Sequence, residues 1–322
     1  MITLADLHEA QKLIEGITVR TKLIPFPLCA DDPRRLLLKP ENQQPIGAFK
    51  LRGAYNKIAS LTEAERKRGV ISYSSGNHAQ GVAYAARALG VKSVIVMPGN
   101  APAIKREATA KLGAEIVVVG PASDERKAKA EELAAQHGYV IVPPYNDEKI
   151  IAGQGTIGLE ILEDLPDVEA VLSPVGGGGL ISGVAAAIKL SNPKIKVIGV
   201  EPELAADAQA SLRQGKIVQF SAEQVSRTIA DGLRTQSIGP INFEHIRAYV
   251  DDIITVTEDE IRQMTKYLSA NPQTLAEPSG AVATAGFIFH AKELPPTKLA
   301  VAIISGGNIE PDMLNFARNE KP

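Results

Sequence analysis

Apolar positions along the middle of the chain alternate between short unbroken runs and longer stretches with one polar face. Between residues 70 and 144, "GVISYSS", "KSVIVMP", "EIVVV" and "YVIVPP" read as strands. The stretches between them, "NHAQGVAYAARALG", "PAIKREATAKLG" and "SDERKAKAEELAAQHG", read as helices. Each helix closes on a glycine, at Gly90, Gly113 and Gly138, the residue best able to take the left-handed conformation past a helix end. Strands apolar on both faces, separated by helices, predict βαβ units and a parallel sheet.

A second series follows. "AVLSPV" (170–175) is a strand running into four glycines and then the helical "LISGVAAAIKL". "KIKVIGVEP" is another strand, "IITVTEDEIRQMTKYLS" a strand and a helix joined by a Thr257/Glu260 capping box, and "LAVAIISGGN" a last buried strand. Upstream, Thr3/Asp6 caps an amphipathic N-terminal helix, Thr62 and Glu65 make a second box, and "GAFKLRG" (47–53) marks a loop turning into a helix. The pattern predicts an α/β protein with two open parallel-sheet domains. Residues 1–68 and 147–322 form the large one, and residues 69–146 form a small one inserted into it.

Composition narrows the possibilities. The chain has 322 residues, 44% of them hydrophobic and 22% charged, with a net charge of −2. That is globular composition with no basic tract, so nucleic acid has no electrostatic footprint here. The N-terminus lacks the layout of a signal peptide, and apolar runs too short and glycine-broken to span a bilayer predict no membrane partner. A lone cysteine, Cys29, leaves no internal disulfide or cysteine metal site and suits a reducing cytoplasm. Cys29 itself reads as a small packed residue.

In open parallel sheets, ligands bind beyond the carboxyl ends of strands. Three glycine loops fall there: "SSGNH" (74–78), "GGGG" (176–179) and "SGGN" (305–308). Four glycines ahead of a helix let backbone N–H groups approach an anion, with the helix dipole in favour. The loop lacks the dinucleotide glycine spacing and the Lys-Ser/Thr of a nucleotide P-loop, so it points to a phosphorylated cofactor. "SSGNH" offers hydroxyls and a helix start to a carboxylate, although Ser75 and Asn77 also suit simple N-capping. Lys50 lies in an apolar run. A desolvated lysine has a lowered pKa and becomes a nucleophile able to form a Schiff base.

These residues and motifs, "GAFKLRGA", "SSGNHAQG", "AGQGTIGLEI", "PVGGGGLISG", "TIADGL", "EPSGA" and "ISGGN", together resemble the fold-type II pyridoxal-phosphate enzymes. The resemblance covers nearly the whole chain and is to the serine/threonine dehydratase and serine racemase family. It implies a tryptophan synthase β-like architecture and a homodimer. It implies that Lys50 carries pyridoxal 5′-phosphate and later serves as base at the substrate Cα. Phe49 would pack by the ring and Asn77 would bond the cofactor's 3-oxygen. The amides of Gly176, Gly177, Gly178, Gly179 and Leu180 would hold the phosphate, and Ser305 would face the pyridine nitrogen. A hydroxyl at Ser305 leaves that nitrogen neutral and favours β-elimination. Ser74, Ser75, Gly76, Asn77 and His78 would receive the substrate carboxylate. His78 is read as structural rather than as a base. The activity implied is elimination of water from serine or threonine. The alternatives are serine racemase, since Ser75 stands where the racemases carry a serine, and 3-hydroxyaspartate dehydratase, which needs a further cation such as Arg52 or Arg234. A non-catalytic cofactor carrier and a β-replacing synthase are the rivals. Glu201, the Ala205 carbonyl and Asp207 resemble the family's site for magnesium or calcium. Little chain follows "SGGN", so control through a C-terminal regulatory domain is not expected.

Overall fold

A computed structural model describes residues 1–99, 101, 103–120, 123–310 and 314. The first residue of the expected second small-domain helix, Pro102, and most of the last stretch of the expected large domain thus lie outside the described residues. In chain order come α1 (Leu4–Leu13), β1 (Ile24–Phe26), β2 (Arg35–Pro40), α2 (Lys50–Ala59) and α3 (Glu63–Arg68). Then follow β3 (Val70–Tyr73), α4 (Asn77–Ala88), β4 (Ser93–Pro98), α5 (Ala103–Lys111), β5 (Glu115–Val119), α6 (Ser123–His137) and β6 (Val140–Ile141). After these, α7 (Glu148–Asp164), β7 (Ala170–Pro174), α8 (Gly179–Ser191), β8 (Lys196–Pro202), α9 (Asp207–Gln214) and α10 (Ala222–Val225) lead to α11 (Pro240–Tyr249). The described fold closes with β9 (Asp252–Val256), α12 (Glu258–Ser269), α13 (Pro278–Phe289) and β10 (Leu299–Ile304).

The three capping boxes read from the sequence, at Thr3, Thr62 and Thr257, all form. So do the left-handed glycines at 90, 113 and 138. The strands make two sheets. One has the order β5-β4-β3-β6 and is parallel throughout. The other has the order β1-β2-β10-β7-β8-β9 and is parallel except for β1, an antiparallel edge strand. The expected strand "YVIVPP" is cut to two residues, because Pro143 and Pro144 have no N–H for the ladder. Cys29 differs from its expected packed state: it is exposed in the turn after β1.

Helix α7 packs against α1, α2 and α8. Its sequence "EKIIAGQGTIGLEILED" contains three glycines, each costing about 1 kcal/mol against alanine in a helix. Burial of Ile150, Ile151, Ile157 and Ile161 at 0% exposure outweighs this, at roughly 1.5–3 kcal/mol apiece. The glycines serve contact. A Cβ on Gly153 would lie 2.6 Å from the Arg52 carbonyl oxygen, so α2 sits directly on α7.

Candidate active site

The loop "GAFK" is zipped to the loop that follows β10. Phe49 N–H donates to the Ser305 carbonyl at 3.0 Å, Gly307 N–H donates to the Gly47 carbonyl at 2.9 Å, and Ala48 and Gly306 form an isolated bridge. This places Lys50 at the first position of α2, beside Ser305. The Lys50 ammonium donates to the Pro144 carbonyl at 2.7 Å and lies 5.2 Å from the centre of the Phe49 ring. No carboxylate pairs with it among the described residues. Desolvation pushes its pKa down to about 8. The helix N-terminus, itself positive, acts in the same direction.

Residue 145, next to the carbonyl that holds Lys50, lies on the glycine loop after β7. A Cβ on Gly177 would run into the Tyr145 ring, and one on Gly179 would lie 2.9 Å from the Tyr145 Cβ. Gly178 takes a φ of +94° and caps α8, with no side chain bonded to that helix start. The first amides of α8 are thus left for a ligand. The side-chain-free glycine backbone packed under Tyr145, the uncapped helix start and the nearby amine fit a phosphorylated aldehyde. Burial also pushes the Tyr145 hydroxyl up to about 12, so it remains a neutral O–H.

The loop after β3 meets the loop after β10. Asn77 donates through Nδ2 to Glu277 Oε1 at 2.7 Å, and its Oδ1 accepts from Asn308 Nδ2 at 2.8 Å. Both contacts fix the amide's orientation and leave one N–H unused. The N-capping alternative for Ser75 and Asn77 does not occur: Gly76 is the N-cap of α4 and no side chain bonds that helix end. Ser74, Ser75, Gly76 and Asn77 are half-buried. The His78 ring turns inward, and Nε2 meets the Val142 carbonyl at 3.0 Å. Burial, with Lys50 nearby, pushes the imidazole down to about 3, so it stays neutral. Ser305 is buried, its hydroxyl donating to the Ser279 carbonyl at 3.4 Å.

The acidic turn after β8 lies apart from these loops in the chain. Glu201 is buried, and its two oxygens accept the Ala208 and Gln209 amides at 3.1 and 2.8 Å. Asp207 is also buried, with neither oxygen hydrogen-bonded. Burial raises both carboxyls, Asp207 to about 7, and the charge of Asp207 adds to the rise at Glu201. Ala205 is buried between them in sequence. Among the described residues, no three His, Cys, Asp or Glu side chains converge on a point. A cation here would need the carbonyl as well as the two carboxylates.

Sequence reasoning left Pro144, Tyr145 and Asn308 without roles and could assign none to Glu277. For Glu277 the signal was its place in "EPSGA"; for Pro144 and Tyr145 none existed, because their partners lie far away in the chain. Of Arg52 and Arg234, the cations expected for a second substrate carboxylate, only Arg52 is fully committed elsewhere. Arg52 is buried between Glu41 and Glu160, and Arg234 donates through Nε and Nη2 to the Thr228 carbonyl.

A family profile described as "Pyridoxal-phosphate dependent enzyme" matches residues 14–306. The L-threonine ammonia-lyase of Thermotoga maritima is 46% identical over 321 residues, which cover 99% of this chain and 79% of that protein. Among solved structures, a threonine deaminase from T.th. aligns with a TM-score of 0.90 and 41% identity, covering 96% of this chain and 99% of the other. Serine racemase from Dictyostelium discoideum aligns with a TM-score of 0.89 and 37% identity, covering 96% and 99%.

Proposed function

Because the chain belongs to the pyridoxal-phosphate dependent enzyme family, we propose that it is an ammonia-lyase acting on L-threonine or L-serine. It removes water by β-elimination and yields a 2-oxo acid and ammonia. The observation that carries the reading is the Lys50 amine, unpaired with any described carboxylate, held by the Pro144 carbonyl beside the tyrosine that packs on the side-chain-free glycine loop.

When bound, pyridoxal phosphate supplies the electron sink for the bond that breaks at the substrate Cα. The protein does the rest. The backbone amides of Gly176 to Leu180 bind the phosphate at the start of α8. Lys50 would hold the cofactor through its amine, whose lowered pKa favours loss of its proton, and would take the proton from the substrate Cα. The remaining N–H of Asn77 would bond the cofactor's 3-oxygen, with Glu277 and Asn308 orienting the amide. Phe49 would pack by the ring, and Ser305, a neutral hydroxyl, would face the ring nitrogen without a carboxylate's pull toward protonation. Ser74 to His78 receive the substrate carboxylate through hydroxyls and the α4 helix start. The β-hydroxyl leaves with a proton as water, and one water is taken up as the nitrogen departs as ammonia.

Neutral side chains suit this site better than 3-hydroxyaspartate so far as Arg52 is concerned, since its guanidinium is spent on Glu41 and Glu160. Half-buried Ser75 supports a second reading, in which its hydroxyl reprotonates Cα and racemises serine. The proposal includes magnesium or calcium on Glu201, the Ala205 carbonyl and Asp207. The unbonded buried Asp207 oxygens support it. It further takes residues 69–146 as the small domain, and the protein as a cytoplasmic homodimer. Among the described residues, no helix is long and apolar enough to cross a membrane.

A combined oxo-acid and chiral amino acid assay on L-serine, L-threonine and both 3-hydroxyaspartates tests the reading. Oxo acid from L-threonine and L-serine is expected. A cofactor-loaded protein that forms no oxo acid from any of them refutes it. D-serine formation that survives Ser75→Ala removes the second role.

A further inference from the structure

Behind Lys50, on the far side of the same helical turn, lies a closed cluster of four buried charges: Lys39, Glu41, Arg52 and Glu160. Arg52 spends its whole guanidinium. Nε and Nη2 donate to the two oxygens of Glu41 at 2.8 and 2.9 Å, and Nη1 and Nη2 to those of Glu160 at 2.7 and 2.9 Å. Further bonds reach Thr156 Oγ1 at 3.1 Å and the Val19 carbonyl at 3.2 Å. Lys39 donates to Glu160 at 2.5 Å and to the Thr21 carbonyl at 2.7 Å, and Thr21 and Gln44 donate to Glu41 at 2.8 and 3.0 Å. Two cations balance two carboxylates. The cluster joins the chain at 19–21, the end of β2, the turn after it, α2 and α7.

Stability does not explain such a cluster. Well-packed apolar side chains in place of a buried ion-pair network are often neutral or stabilising. Apolar contact, however, tolerates slip, whereas two bidentate forks fix an angle. At 100° per residue, Arg52 and Lys50 project on nearly opposite sides of α2. Rotation of that turn moves both. With Nζ ~8 Å from the helix axis, a rotation of about 10° displaces it by more than about 1 Å. A displacement of that size is enough to cost a reacting group about 100-fold. The forks run to α7, against which α2 is already seated by the Gly53 N–H bond to Gln154 Oε1 at 3.1 Å.

We infer that Arg52 is a positioning residue for the reaction: its forks to Glu41 and Glu160 set the rotation of the first turn of α2 and so aim the Lys50 amine. The inference rests on Lys50 being the cofactor-binding amine.

The test uses two variants of the full chain. Arg52→Lys keeps the charge and loses the fork. A quadruple variant, Lys39→Met, Glu41→Leu, Arg52→Met and Glu160→Leu, removes the cluster without changing net charge. For each, circular dichroism and thermal midpoint report folding. The growth of visible absorption on adding pyridoxal phosphate to cofactor-stripped protein reports capture by Lys50. Turnover is read per bound cofactor. The expected result in a folded variant is slower capture and kcat lower by about 10-fold or more, with KM within about 3-fold. Rescue of the midpoint without rescue of kcat in the quadruple variant is the signature of aiming. Wild-type capture rate and kcat in either folded variant overturn the inference. So does loss of fold in both variants, which makes the cluster structural. A wild-type protein whose absorption band is unchanged by Lys50→Ala refutes the reading of Lys50 instead, so the two failures are separable.

Discussion

Lys50 and Arg52 stand two residues apart on one helix, the first half-buried and the second buried, and their surroundings treat them oppositely. Arg52 meets two carboxylates. Burial alone would lower its pKa, but Glu41 and Glu160 outweigh burial and raise it. Lys50 meets only a carbonyl dipole, and desolvation takes it down to about 8. The contrast teaches that burial does not decide what a cation does. The presence or absence of a carboxylate does: with one it becomes a strut, and without one it becomes a nucleophile.

The largest break in the comparison comes from deleting each cation in turn. Lys50→Ala is expected to abolish covalent cofactor binding and to lower oxo-acid formation by about 1,000-fold or more, measured by absorbance and by turnover. Arg52→Ala leaves Glu41 and Glu160 buried with only Lys39 to balance them. It is expected to cost about 3–5 kcal/mol in urea unfolding, an effect on stability before any on chemistry.

A smaller effect concerns pH. The folded pKa of Lys50 lies below that of a free lysine, so the native state penalises the ammonium. The penalty is complete below about pH 8 and fades as pH rises toward 10.5. Cofactor-free Lys50→Met is therefore expected to be more stable than the wild type at pH 7, by roughly 1–3 kcal/mol, with the gap closing by pH 10.5. Equal stabilities at pH 7 would mean that the amine is not desolvated. The smallest effect is at a cation paired on the surface. His290 contacts Glu293 and Glu260, which outweigh its partial burial and raise its pKa. Its contribution is present below about pH 6.5 and is lost as pH rises through the raised value. His290→Gln is expected to cost less than about 1 kcal/mol at pH 5.5 and nothing at pH 9, as read from thermal midpoints at the two pH values.

What was legible in the residues was local. Capping boxes, closing glycines and apolar runs are written within a few positions, and they placed β3 to β5, β7 to β10 and the glycine loops. Lys50 and the four glycines stand out in short motifs, whereas the role expected of Ser305 rests on the family resemblance alone. Helix α7 was not, since three glycines in one helix argue against a helix until α2 is seen lying against Gly153. Strand β2, "RLLLKP", ends in proline and buries a lysine, and both features point away from a strand. Glu160 lies 108 positions from Arg52 and Glu277 lies 200 from Asn77. No periodicity carries a partner over such distances, so the groups that aim the site emerged only with the fold.

Borohydride reduction of the cofactor-loaded protein, followed by digestion and peptide mass spectrometry, tests the central claim most directly. The account predicts one cofactor adduct per chain, carried by the peptide containing Lys50. An adduct on another lysine, or a reduced protein with no adduct at all, would contradict it.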